Sequence, residues 1–141
     1  MGVFHDNSVD YGVVLRLQKP LETYIELFEG ISKASLRVMD GLVDVMVTFE
    51  DPVHRLRGND AFMEVMQRRV DYAEVRLRVD DFVWGRKPAT AYVHAKRAGG
   101  DESVVIELGF TDEGRVILHR EYWSGGFPYG GRKYAKAIVK S

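Results

Sequence analysis

The 141 residues carry 20 Lys and Arg against 21 Asp and Glu, with four histidines and no cysteine. The near-balanced charge gives no global field for nucleic acid or an acidic membrane surface, and the lack of cysteine removes disulfides, thiolate metal sites and cysteine nucleophiles together, which fits a reducing, cytoplasmic setting. A hydrophobic content of 45% is enough for one domain with a real core, and no apolar run approaches the roughly 20 residues of a membrane span.

Residues 1–19 read as an N-terminal arm. The arm lacks the apolar stretch of a secretory signal, and Tyr11 to Leu17 alternates briefly, as an extra strand or a loosely held segment would. From Pro20, a favoured first helical residue, Leu21, Tyr24, Ile25, Phe28 and Ile31 recur at helical spacing, and Gly30 weakens the end. Ser35 can cap a second helix with Leu36, Met39 and Leu42 on one side. Asp44 to Phe49 then switches to period two and predicts a strand whose Val45, Val47 and Phe49 share a face.

The end of that strand carries the most informative residues. Asp51 precedes Pro52, which lacks an N–H and stops the ladder, so a carboxylate stands at the terminus of an apolar strand. Two roles suit it: a general base looking into an apolar interior, or an acceptor for the backbone N–H groups of the turn. His54 follows directly and is placed to touch Asp51 or the surface. Asn59 can cap a third helix in which Phe62, Val65, Met66 and Val70 form the buried stripe. The neighbouring Arg68-Arg69 pair is too short to be a polybasic tract.

Four strand segments complete the pattern: Glu74 to Trp84, Ala89 to Lys96, Ser103 to Thr111 and Arg115 to Trp123, joined by turns rich in Gly, Asp and Pro. In the first of them Val75, Leu77 and Val79 share one face while Phe82 and Trp84 fall on the other, and a bulge at Asp80-Asp81 restores a single apolar face. Helices followed by a strand meander predict an α+β domain over residues 20–124, a cone-shaped, curved antiparallel sheet wrapped over about three helices. Beyond it, residues 125–141 form a Gly-rich loop and tail. The loop lacks the Lys-Ser/Thr of a phosphate loop; Phe127 and Tyr129 can fold over a cavity mouth or a neighbouring subunit, and Tyr134, Ala135 and Ile138 suggest a short terminal helix.

The element order, the Phe49-Glu50-Asp51-Pro52-Val53 turn leading to Gly58, and the final strand from Gly114 to Trp123 resemble the nuclear transport factor 2-like superfamily, which includes SnoaL-like polyketide cyclases and ketosteroid isomerases, over about residues 20 to 124. The resemblance implies a cystatin-like cone whose open end holds a small apolar molecule, without a cofactor, and in many members a homodimer. Asp51 matches the proton-shuttling Asp of the isomerases. Their oxyanion-hole Tyr has Tyr24 as its nearest counterpart, although ungapped alignment from Asp51 reaches Leu27. Their neutral acid aligns with Ile106, and Glu107 beside it points to the opposite face. The isomerase oxyanion hole is therefore incomplete.

The final strand offers another polar set. Ile117, His119, Glu121 and Trp123 alternate with Val116, Leu118, Arg120 and Tyr122. Glu121 is the approximate counterpart of the late-strand acid of SnoaL-like cyclases, and His119 stands one period from it. Either this pair faces the interior, or it lies on a charged outer edge and Arg120 with Tyr122 points inward. The expected catalytic set is Asp51, His119, Glu121 and Tyr24. Phe28, Phe49, His54, Phe62, Met66, Trp84, Tyr92 and Trp123 are core residues first, and cavity lining if space remains. His5 and His94 have no partner at metal-ligand spacing. Two functional classes stay open: an acid–base isomerase, cyclase or dehydratase acting on a small apolar carbonyl compound, and a non-catalytic ligand-binding or dimerization module, with Val105, Leu118 and Tyr122 available to a second subunit.

Overall fold

The computed structural model describes residues 10–72, 76–125 and 127. Helix α1 spans Tyr11–Glu29, so the stretch expected as a strand or arm is the first half of a helix and Pro20 lies inside it. The cause is local: the Asp10 carboxylate accepts the Val13 N–H at 3.2 Å and starts the helix nine residues early, at Tyr11. Leu17, Leu21, Tyr24 and Phe28 then line one buried stripe that offsets the hydrogen bond Pro20 cannot make. Gly30 ends the helix. Helix α2, Lys33–Leu42, is capped by Ser32 rather than Ser35; the two serines close a reciprocal capping box, and Leu36 and Met39 are buried.

Strand β1 (Val43–Glu50) leads through the Asp51 turn into a short β2 (Arg55–Arg57), which the sequence pattern did not indicate. Gly58, at φ +107°, reverses the chain into α3 (Asn59–Tyr72). Then come β3 (Leu77–Trp84), β4 (Thr90–Arg97), β5 (Ser103–Phe110) and β6 (Val116–Trp123). The strand order is β2-β1-β6-β5-β4-β3. One feature departs from an all-antiparallel sheet: β1 and β6, the two strands that carry the polar site, pair in parallel.

The sheet is curved by irregularities. In β3 the pairing skips Asp80, as the sequence pattern required, and returns Leu77, Val79, Phe82 and Trp84 to one face. A shift in β1 between Val43 and Thr48 has the opposite effect on expectation: Val43 is buried and Val45 is 69% exposed, so Val45 does not lie below Asp51. A third, opposite Gly109-Phe110, buries Val116 and turns Ile117 outward while His119 and Glu121 stay inward. That settles the face of β6: Arg120 and Tyr122 are outside, where both bond the buried Glu107 at 3.1 and 3.2 Å. Gly114, at φ +83°, closes the β5–β6 hairpin against Pro20, whose Cγ would lie 3.1 Å from an added Cβ, and so seats α1 on the sheet. Among the described residues no helix is long and apolar enough to cross a membrane. The expected terminal helix and Tyr129 lie outside the described residues.

Candidate functional site

The concave side of the sheet holds a polar network within an aromatic core. Its centre is Arg69, on the buried stripe of α3 with Phe62, Val65 and Met66. Arg69 Nη1 donates to Glu121 Oε2 at 2.8 Å, and Nη2 donates to Glu121 Oε1 at 2.9 Å and to Asp51 Oδ2 at 3.0 Å. The guanidinium thus ties the end of β1 to β6. It is 1% exposed, and the side chains of both carboxylates are fully buried. A charged triad removed from water to this degree carries a large desolvation cost, which only close geometry offsets.

Each carboxylate has a second set of partners. Asp51 Oδ1 accepts the backbone N–H groups of Val53 at 2.9 Å and His54 at 2.7 Å, and His54 Nδ1–H at 3.0 Å. Glu121 accepts Trp123 Nε1–H at 3.0 Å on Oε1 and His119 Nε2 at 2.8 Å on Oε2. An ionised carboxylate can only accept, so the His119 proton sits on Nε2 and Nδ1 is left as an acceptor. Tyr24 Oη lies 2.7 Å from that Nδ1 and donates to it. The result is a directed chain, Tyr24 to His119 to Glu121, from α1 to β6. Phe28, Phe49 and Phe62 surround the imidazole at 5.0, 5.1 and 5.7 Å between ring centroids.

This setting fixes protonation. Burial pushes the His119 pKa down against the pull of Glu121, so the imidazole is neutral. Burial would raise the Glu121 pKa, but the Arg69 charge and the hydrogen bond from His119 overrule it and hold the carboxyl well below the usual range. Burial, then the Glu121 charge, push the Tyr24 phenol well above 10.0. His119 and Glu121 both have depressed folded-state values, so in acid the unfolded chain binds more protons. Stability is then whole above the ordinary His value of 6.5 and is lost as pH falls below it, with a second loss below the ordinary carboxylate value of 4.5. Tyr24 has the opposite sign, and its contribution is lost as pH rises above 10.0. Urea midpoints should therefore form a plateau between about pH 7 and 9.5, with an acid flank approaching 1.4 kcal/mol per pH unit for each proton. A midpoint unchanged from pH 7 to 4 would contradict this assignment.

The structure brings together Asp51, His119, Glu121, Tyr24, His54, Phe28, Phe49, Phe62 and Trp123, with Met66 buried one turn before Arg69. Two expected lining residues lie elsewhere. Trp84 donates its indole N–H to Gln18 and packs on Phe110. Tyr92 is on the outer face, opposite Glu107, because its neighbours Ala91 and Val93 take the inner one. Ile106 faces inward and Glu107 outward, as the parity of β5 requires. Arg69 was missed because the Arg68-Arg69 pair was weighed only as a basic tract; its spacing from Phe62, Val65 and Met66 was the signal that places it inside. A cleft of about 710 Å³ between β1, β2 and the start of α3 is lined by Asp40, Arg57, Asp60, Glu64 and Arg115 among others and touches none of the network.

No family model matches the chain, and no curated protein matches it in sequence. Solved structures do match. A steroid delta-isomerase from Pseudomonas aeruginosa superposes with a TM-score of 0.61 at 10% identity, covering 94% of this chain and 89% of that one. The epoxide hydrolase/cyclase-like enzyme SalBIII, of pyran ring formation in salinomycin, does so at 0.61 and 21%, covering 76% and 92%. A SnoaL-like protein of unknown function from Burkholderia thailandensis matches at 0.61 and 13%, covering 83% and 99%. The chain has the nuclear transport factor 2-like fold. Identities this low carry the fold alone, and within the nuclear transport factor 2-like fold activity resides in the site. Here the candidate site is the network on Arg69.

Proposed function

We propose that the chain performs acid–base chemistry on a small apolar carbonyl compound, as an isomerase, cyclase or dehydratase of SnoaL-like type. The observation that carries this reading is the buried, directed chain from Tyr24 through His119 to Glu121, anchored by Arg69. A substrate proton joins a lone pair of Tyr24 Oη as the phenol's own proton crosses to His119 Nδ1. Glu121 holds the imidazolium so formed through Nε2–H. Reversal onto a different substrate carbon completes an isomerization; transfer onto a departing hydroxyl releases water. Such a relay contributes about 10²–10⁴ in rate. Asp51, with both oxygens engaged, acts as the brace that orients Arg69 rather than as the base.

A second reading, a non-catalytic module, is favoured by one observation: His119 is 0% exposed and ringed by three phenylalanines. A cytoplasmic homodimer belongs to both readings, the half-exposed Tyr122 and its neighbours on the outer sheet face supplying the contact. Native mass spectrometry of the purified chain, together with turnover of a panel of enones and β-hydroxy carbonyl compounds, separates them. The catalytic reading expects a dimer carrying a small molecule, and turnover that falls about 10²–10⁴-fold in Tyr24→Phe while stability drops only about 1–2 kcal/mol. Equal turnover by Tyr24→Phe would remove the relay. An empty protein inert to the whole panel favours the module.

A further inference from the structure

A second cleft, of about 580 Å³, lies between α2 and α3 and is continuous with the one of about 710 Å³, because Asp40, Asn59 and Asp60 line both. Leu36 and Val43 are buried along the trough so formed, and Val45 is exposed on its wall. Charge alternates along it. Lys33 and Arg37 of α2 line the second cleft alone, Asp40 and Asp60 stand at the junction, and Arg57 and Arg115 line the first alone. Glu64, one helical turn on from Asp60, adds to the acidic middle. Among the described residues none of these charged side chains has an ion-pair or hydrogen-bond partner. Arg55, on the same short strand as Arg57, does pair, with Glu50 at 3.7 Å. The trough therefore presents cations, then anions, then cations, all still able to bind.

We propose that this trough binds an extended peptide segment of a partner protein in which an acid, a base and an acid stand at alternate positions. In an extended chain residues i, i+2 and i+4 project to one side, about 7 Å apart. On α2 the point midway between Lys33 and Arg37 lies five residues before Asp40, which at about 1.5 Å per residue is the same distance. A peptide acid between Lys33 and Arg37 therefore sets the next alternate residue, a base, against Asp40 and Asp60. The acid that follows is directed toward Arg57 and Arg115. The order of charges selects this occupant, since a uniformly anionic ligand meets the acidic middle and a polybasic one meets both cationic ends. Exposed ion pairs are individually weak, so the trough reads a pattern at modest affinity. The proposal is independent of the network on Arg69, none of whose residues lines either cleft.

The test titrates the peptide acetyl-Thr-Glu-Thr-Lys-Thr-Glu-Thr-amide into the ¹⁵N-labelled full chain at low salt, with amide shifts as the readout. Shifts should centre on α2 and the first half of α3. The same composition reordered as Thr-Lys-Thr-Glu-Thr-Glu-Thr should bind at least about fivefold more weakly, the scale of one exposed ion pair. A peptide with Thr in place of the central Lys should weaken to a similar degree. Lys33 and Arg37 are exposed, so the double variant Lys33→Glu, Arg37→Glu keeps the fold while reversing one end of the trough. It should bind the first peptide about tenfold more weakly than wild type and prefer Thr-Lys-Thr-Lys-Thr-Glu-Thr instead. No binding, shifts away from the trough, equal binding of the reordered peptide, or an unchanged preference in the double variant would each overturn the proposal. Equal binding of the Lys-free peptide would do so as well, reducing the trough to a surface for any anion.

Discussion

Replacing Arg69 with Met is expected to destabilise the folded chain by about 3–5 kcal/mol at pH 7, because removing one partner of a buried ion network leaves the others uncompensated. In a domain of this size that lowers the melting temperature by roughly 10–20 °C. Met retains much of the length and fills most of the volume, so the loss is not mainly a cavity. It comes from Asp51 and Glu121, whose side chains are fully buried and lose their shared cation. The pH dependence separates this cause from poor packing. Without Arg69 the buried Glu121 carboxyl loses the charge that holds its pKa down, and burial then raises it above the unfolded value. Stability from such groups is present below the unfolded pKa and lost as pH rises through the folded one. The deficit against wild type should therefore shrink as pH falls from 7 to 5, while wild type itself weakens over that interval through His119. Arg69→Lys should fall between the two, because an ammonium keeps the charge but cannot present two parallel donors to Glu121 while reaching Asp51. A deficit that is constant with pH, or a melting point within a few degrees of wild type, would mean that the network does not hold the fold.

How much of this was legible beforehand depends on what kind of physical rule fixes each part. The bulge at Asp80 was readable because two apolar runs out of phase on one strand have few other remedies. The inward direction of His119 and Glu121 was not, since strand parity offers two faces and the choice rests on a register shift opposite Gly109 and Phe110. The same kind of shift expelled Val45 and Ile117 from faces that simple alternation assigned to them. Helix α1 was begun too late because Pro20 looks like a start, while the stronger signal, Asp10 ahead of Val13, Val14 and Leu17, lay in a stretch that also alternates. The parallel pairing of β1 with β6 joins segments distant in sequence, and no local pattern encodes it. That pairing, with Arg69 from α3 above it, is what brings Asp51, Glu121, His119 and Tyr24 into one network. The polar residues were therefore visible one by one, but their connection was not.

Asp51→Asn tests that connection directly, and its expected outcome is a loss of about 3 kcal/mol despite the near-identical shape of the two side chains. Asp51 Oδ1 takes donors from Val53, from the His54 backbone and from His54 Nδ1, and Oδ2 takes the Arg69 guanidinium. All of these partners donate. An amide has one oxygen and one NH₂ group, so either orientation sets a donor against donors and leaves them unsatisfied in a dry site. If the carbonyl faces the turn, the amide nitrogen opposes Arg69; if it faces Arg69, the turn from β1 to β2 loses its acceptor. The substitution would not be the silent probe of a general base that its geometry suggests. The comparison with Tyr24→Phe makes the division of labour measurable. Asp51→Asn should lose stability out of proportion to turnover per folded molecule, while Tyr24→Phe should lose turnover out of proportion to stability. Denaturant midpoints and active-fraction-corrected rates on both variants decide it. If Asp51→Asn melts with wild type yet is inert, Asp51 is the proton acceptor itself, and the brace on Arg69 is supplied by Glu121 alone.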